Sequence, residues 1–528
     1  MRASASRAAV MAALALTLGA PADAQPSRGS EADALRPDPA AQPAPRSRQR
    51  RDGPAGALPA TGGEPPVSPG IVTGTVSIAP LGPPGSAAGV LPPNVTGLPQ
   101  DLWAGSDAAD LSARISALPD DLPAAARALE RVMMLAEADP PRTGDPETLL
   151  AARLAQLVRR GHLDAAAALA ARAGARTPAL RRTAFDIALL LGDETEACRL
   201  SDPDAPAPED SARRVFCLVR GGDFAAAATV MDGARALGRL DPLDEGLLEL
   251  FLYPELLEEL DPPAPPLEPT PLQFRLHEAL GEPIGTRDLP VAFARADLRP
   301  VNGRKAQIEA AERLARVGAL EGTRLLQLYT DRQPSASGGV WDRAAAMRDL
   351  DAALRAANPQ ALSLALPRAA AALEDAGLLP AMADALYPSI AALRPEGREA
   401  QTVALRLGLL SADYAQAAAD WPEAEAPHLA AARALALGRA PMAADGDALD
   451  EAVVEAFGDD PAVPPRLARP AADGRVGEAL LLALGDLSAG AAGDRMRLSG
   501  ALAFLRSAGF EDAARRIAIE LLIGRAPA

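Results

Sequence analysis

The sequence predicts an all-α protein: an α-solenoid of TPR-like helix-turn-helix repeats behind a disordered, Pro/Gly-rich N-terminal tether. Three observations predict it. At five expected helix starts a capping residue stands directly before proline: Asp145-Pro146, Thr177-Pro178, Asp241-Pro242, Thr270-Pro271 and Asn358-Pro359. A side-chain oxygen there accepts from the first free amides of a helix, and proline at the first helical position forgoes an N–H that has no partner. Next, the turns Gly161-His162-Leu163-Asp164, Gly192-Asp193-Glu194-Thr195 and Gly222-Asp223-Phe224-Ala225 look alike. Their glycines recur at about 30 residues, the period of stacked helical hairpins. Finally, the chain is Ala-rich with only 3% aromatics, so helices form readily but each has a thin apolar face and gains from close approach.

In chain order, Arg2 and Arg7 precede an apolar run from Ala8 to Ala20 and then Pro21-Ala22-Asp23-Ala24. This is the order of a secretory signal peptide, residues 1–24, cleaved between Ala24 and Gln25. The run is too short for a bilayer, which takes about 20 apolar residues, and no later stretch qualifies. Hence no transmembrane anchoring is expected, and the compartment is periplasmic or secreted. Residues 25–97 are rich in Pro, Gly, Ala and Ser and read as the tether; Ile71 to Ile78 is its one β-branched run. Residues 98–260 read as an N-terminal repeat block, 261–270 as a Pro-rich linker and 271–528 as a C-terminal repeat block. In the first block Leu150, Leu154, Leu157 and Val158 make one apolar stripe. Near the end, Gly509-Phe510-Glu511-Asp512 repeats the turn grammar. Asp459 to Gly474 reads as a further irregular link.

The formal net charge of −17 excludes a nucleic-acid partner, which requires clustered Lys and Arg. Positive charge is nearly all Arg, Lys305 being the one lysine. Two cysteines in an exported chain are expected to pair. Cys198 follows the Gly192 turn and Cys217 precedes the Gly222 turn, on helices of consecutive units that should be neighbours.

Motifs for chemistry are sparse. His162, His277 and His428 lie in different expected elements, and His162 reads as a solvated turn residue rather than a ligand. No phosphate loop with its lysine, no HExxH and no GxSxG is present. Asp202, Asp204, Glu209 and Asp210 depart from a calcium loop and read as a solvated link. No catalytic residue, cofactor or metal site is assigned. Trp341 and Trp421 read as gap fillers between helices, and Trp103 as a residue docking the start of the helical region on its own repeats.

The segment Gly97-Leu98-Pro99-Gln100-Asp101-Leu102-Trp103-Ala104-Gly105-Ser106-Asp107, with the Ala/Leu repeats after it, resembles exported Ala-rich helical-repeat proteins of alphaproteobacteria. Some of these carry an automatic "antifreeze glycopeptide" label. The resemblance implies export and a helical-repeat fold, and no activity or catalytic residue. An antifreeze glycopeptide is tandem Ala-Ala-Thr with a sugar on each threonine; here Thr is sparse and Ala sits at packing positions, so the label reflects composition. The expected function is a periplasmic scaffold or adaptor that binds another cell-envelope protein without catalysis. The alternative is a peptidoglycan enzyme or accessory factor whose helical array holds polysaccharide.

Overall fold

The computed structural model describes residues 88–174, 177–201, 210–422, 425–442 and 448–524. The expected signal peptide and its Ala24/Gln25 junction lie outside the described residues, as do residues 25–87 of the expected tether, with Ile71 to Ile78, and the acidic residues Asp202, Asp204 and Glu209. All described residues belong to one compact unit, Ala79–Ala528. Among them every regular element is a helix, and the only β features are isolated bridges, Leu91 with Ala136 and Asp107 with Thr143. No helix of the described residues is long and apolar enough to cross a membrane.

The helices are α1 (Pro93–Thr96), α2 (Ala108–Ser116), α3 (Ala124–Leu135), α4 (Pro146–Arg159), α5 (Leu163–Ala173), α6 (Pro178–Leu191) and α7 (Glu194–Leu200). Then come α8 (Ser211–Arg220), α9 (Phe224–Ala236), α10 (Pro242–Leu252), α11 (Pro271–Ala279) and α12 (Ala294–Asp297). The remainder begins with α13 (Arg304–Arg316), α14 (Gly322–Thr330), α15 (Val340–Arg355), α16 (Pro359–Asp375), α17 (Leu379–Leu393) and α18 (Arg398–Leu410). It ends with α19 (Tyr414–Asp420), α20 (Pro427–Ala436), α21 (Ala448–Ala456), α22 (Pro465–Ala472), α23 (Val476–Ala491), α24 (Arg495–Ser507) and α25 (Glu511–Ile523).

All five cap-and-proline pairs start helices. Asp145, Thr177, Asp241 and Asn358 accept from amides of α4, α6, α10 and α16, and Thr270 with Gln273 forms a capping box on α11. The glycines of the repeat turns adopt positive φ, 78° at Gly161, 85° at Gly192, 79° at Gly222 and 89° at Gly509, a conformation that favours glycine and stops a helix. Each turn joins two helices that pack together: α4 with α5, α6 with α7, α8 with α9, α24 with α25.

The main core takes residues from both ends of the helical region, Ala88 to Ile187 and Ile308 to Ile523. A satellite core, Phe185 to Leu276, gathers α6 to α11. Three features depart from the sequence expectation. The tether boundary at residue 97 falls too late, because Val90 and Leu91 donate to Leu135 O at 2.8 and 3.0 Å and Ala88 and Leu98 are buried. The linker 261–270 does not divide two cores, because α11 beyond it packs on α6 and α10 and Pro263 lies against Gly246. The link 459–474 contains α22, which packs on α23.

Helices far apart in sequence also meet: α2 packs on α23, and α3 on α23 and α25. At this seam the Gly477 amide donates to Leu102 O at 3.0 Å. A Cβ on Gly477 would stand 2.6 Å from both that oxygen and the Trp103 ring, so only glycine permits the approach.

Arginine ties helix ends together. Arg153, fully buried, donates to Met134 O, Ala88 O and Ala136 O at 2.8 to 2.9 Å. Arg348 donates to Thr330 O, Arg433 to Ala418 O and Arg506 to Ala456 O, near the last carbonyls of α14, α19 and α21. Such carbonyls have no partner within their own helix, and a guanidinium offers five donors in a fixed fork where an ammonium is a point charge.

Candidate functional site

Four separated stretches of chain enclose a cavity of about 410 Å³. They are the first turns of α3, the α4–α5 turn, the α13–α14 junction and the start of α17. The position of α3 is set at its N-terminus, where the amides of Ala124 and Ala125 donate to the two carboxylate oxygens of Glu520 on α25 at 2.6 and 2.7 Å. A carboxylate suits that place because the first helical amides are free and the helix dipole is positive there. Burial nonetheless pushes the Glu520 carboxyl above its usual range, against the downward pull of those amides and of Arg127.

Arg127 and Arg316 hold the walls together. Arg127 donates to Leu122 O and, at 2.7 Å, to Arg316 O at the end of α13. Arg316 donates to Ala376 O at 2.6 Å, past the end of α16, and reaches Glu312 at 3.3 Å. Glu312 is itself buried and accepts from Tyr329 at 2.7 Å and from Arg343 at 2.6 and 2.8 Å. Gly322 lets α14 and α17 touch, since a Cβ there would stand 2.4 Å from Ala381 O.

Two polar side chains on this cavity remain uncommitted. Arg131, one helical turn beyond Arg127, is exposed and has neither a hydrogen bond nor an ion pair among the described residues. His162 is 8% exposed, lines the cavity, and its ring has no hydrogen-bond partner among the described residues. Burial, then the charges of Arg131, Arg160 and Arg127, push its pKa down to about 4, so the ring is neutral at pH 7 and has one N–H donor and one acceptor. Below it Arg160 pairs with Glu130 at 3.0 Å and with Asp120 at 3.0 Å.

The expected solvated turn residue is therefore a buried one. His162 stands at the N-cap of α5, where Asp193 and Asp223 stand in the sister turns and accept from Glu196 N and Ala226 N. The histidine makes no such cap hydrogen bond. α3 and the α13–α14 junction cover the turn, which local sequence does not reveal. The signal that was available is a histidine where two similar turns carry a capping aspartate.

The other singled-out residues fall as follows. Cys198 on α7 and Cys217 on α8 are disulfide-bonded with Cα atoms 5.3 Å apart. His277 on α11 is buried with no partner for either ring nitrogen, and burial lowers its pKa. His428 lies on α20, away from both in the chain. Among the described residues no group of three or more His, Cys, Asp or Glu side chains is placed to hold a metal ion. Trp103 is buried at the seam, Trp421 is buried and donates to Tyr387 Oη at 3.1 Å, and Trp341 packs half-buried on the main core. No family model, curated protein or solved structure matches this chain.

A second hollow, about 640 Å³, lies among α5, α6 and α7. Five alanines line it, together with Arg181, Asp193, Glu196 and Arg199. Arg199 pairs with Glu196 at 2.6 Å.

Proposed function

We propose that the protein is a periplasmic helical-repeat scaffold, an adaptor that binds another cell-envelope protein and performs no catalysis of its own. The leader-like N-terminus supports the compartment, and the recurring glycine turns support a repeat array of the kind that presents extended binding surfaces. The observation that carries the reading is the cavity under α3. Four stretches of chain build it and arginines brace it, yet the groups left facing its space, Arg131 and His162, are hydrogen-bond donors suited to recognition. The buried carboxylates nearby are already engaged, Glu130 by Arg160 and Gln156 and Glu312 by Tyr329 and two arginines.

The test is affinity capture from the native envelope with the mature chain, followed by reconstitution with the purified partner. A single protein that recombines stoichiometrically with the pure chain supports the reading. Capture that yields no recombining protein, together with turnover of purified peptidoglycan, would overturn it.

A further inference from the structure

The donors around the α3 cavity divide into committed and free. Arg127 donates through its terminal nitrogens to Leu122 O and Arg316 O, its buried Nε keeping no partner, and Arg316 donates to Ala376 O and Glu312. Arg131 and His162 are free, on adjoining walls, and His162 feels the charge of Arg131. The first amides of α14, at Gly322 and Thr323, line the same space, and Glu321 before them gives no side-chain cap. Two carboxylates line the same space: Glu321 itself, and Asp384, which accepts from the Ala412 amide at 2.6 Å. The His162 ring, without a hydrogen-bond partner among the described residues, keeps its donor and its acceptor available to a molecule in the cavity.

We propose that this cavity is a carboxylate-binding site, filled by a chain terminus or acidic side chain of a peptide, with Arg131 and His162 as the recognising groups. The existence of the site is independent of the adaptor reading; only the peptide as the source of the carboxylate rests on it. Arg131 is the exposed positive charge that a monoanion in the cavity can reach, the Arg127 beside it being turned to the carbonyls of Leu122 and Arg316. A phosphate dianion would bring a second negative charge into a space that Glu321 and Asp384 also line. A guanidinium donates two parallel N–H bonds to a carboxylate, and a neutral imidazole adds one more. A carboxylate beside His162 favours the charged ring, offsetting the effect of Arg131, Arg160 and Arg127. Binding is then linked to proton uptake and strengthens as the pH falls from the raised midpoint of the bound ring toward the free value of about 4.

The experiment is a titration of the full mature chain, its histidines isotope-labelled, with N-acetyl-Ala-Ala, its C-terminal amide and inorganic phosphate. The acid is expected to move the His162 ring resonance saturably and to raise its titration midpoint by about one unit. The amide should leave both unchanged. Arg131→Ala should weaken binding by about tenfold or more with an unchanged melting temperature, since the residue is exposed; Arg131→Lys should fall between. By calorimetry, His162→Gln, which retains a donor, should still bind but without the pH dependence. An absent or unsaturable shift, equal response to acid and amide, binding indifferent to Arg131→Ala, or phosphate binding as tight as the acid would each overturn the proposal. Since no partner is used, a positive titration with failed affinity capture would count against the adaptor alone.

Discussion

Two junctions hold this helical unit together by opposite means. Between α7 and α8 the chain is crosslinked across 19 residues of sequence, Cys198 to Cys217, beside a small satellite core. Between α2–α3 and α23–α25 it is closed by burial and hydrogen bonds linking residues 364 to 396 apart. In a flexible-chain estimate, loop closure grows with the logarithm of length, so the long seam costs about 3 kcal/mol more to close than the short one. What offsets this is concentrated there: Leu102 and Trp103 are buried, Glu478 joins Arg114, Arg475 and Ser106, Ser488 donates to Asp121, and Glu520 caps α3. The near junction combines a covalent bond with one ion pair, Arg220 to Glu194 at 2.7 Å, whereas the distant one is assembled from many complementary surfaces.

The largest expected effect is on the seam. Trp103→Ala should cost about 4 kcal/mol, the range for emptying a buried aromatic site. Hydrogen exchange should then rise in α2, α3, α23 and α25 before α8 and α10; a uniform rise would mean that the seam is no separate joint. At the crosslinked junction, Cys217→Ser or reduction should cost about 3 kcal/mol with helix content almost unchanged, and exchange should rise in α7 to α10. Unchanged melting on reduction would show that the bond contributes nothing, and two alkylated thiols in material from the native envelope would show that it does not form.

Acid acts at a third place, the cavity beside α3 that His162 lines. The folded His162 has a pKa near 4 against 6.5 for the ordinary side chain, so between those values the unfolded chain binds the proton more tightly. Stability therefore rises with pH through this window and is lost as pH falls from 6.5 to 4, by at most about 3 kcal/mol. His277, also lowered, adds with the same sign. Glu520, raised, acts with the opposite sign, its contribution falling as pH rises through its folded range. Denaturant unfolding at pH 7 and pH 4.5 should show a smaller difference in His162→Gln than in the parent; an equal difference would rule His162 out as its source. The smallest effect is Glu520→Gln, about 2 kcal/mol, read as faster exchange at the first amides of α3 with α8 unaffected.

Local chemistry was legible wherever it was enough. Asp145, Thr177, Asp241, Thr270 and Asn358 cap the helices they were expected to start, because a cap and its amides lie within three residues. The cysteine pair was likewise legible, as its two helices follow one another. His162 was legible only as an oddity: its place in a turn was visible, its burial was not, because the covering residues lie on α3 and at the α13–α14 junction. Residues 88–97 read as tether for the same reason. Their low-complexity composition says nothing of the α3 carbonyl at Leu135 and the Arg153 guanidinium that hold them.

By itself the sequence determined the helical class, most helix starts and the glycine turns, since these follow from backbone conformation and hydrogen bonds within a few residues. Only the tertiary structure decided that the last helices pack on the first, that Gly477 and Gly322 must be glycine, and that Arg131 and His162 share a cavity. Those outcomes depend on surfaces brought together from hundreds of residues apart, where the complementarity belongs to pairs of segments and neither segment carries a signal of it alone.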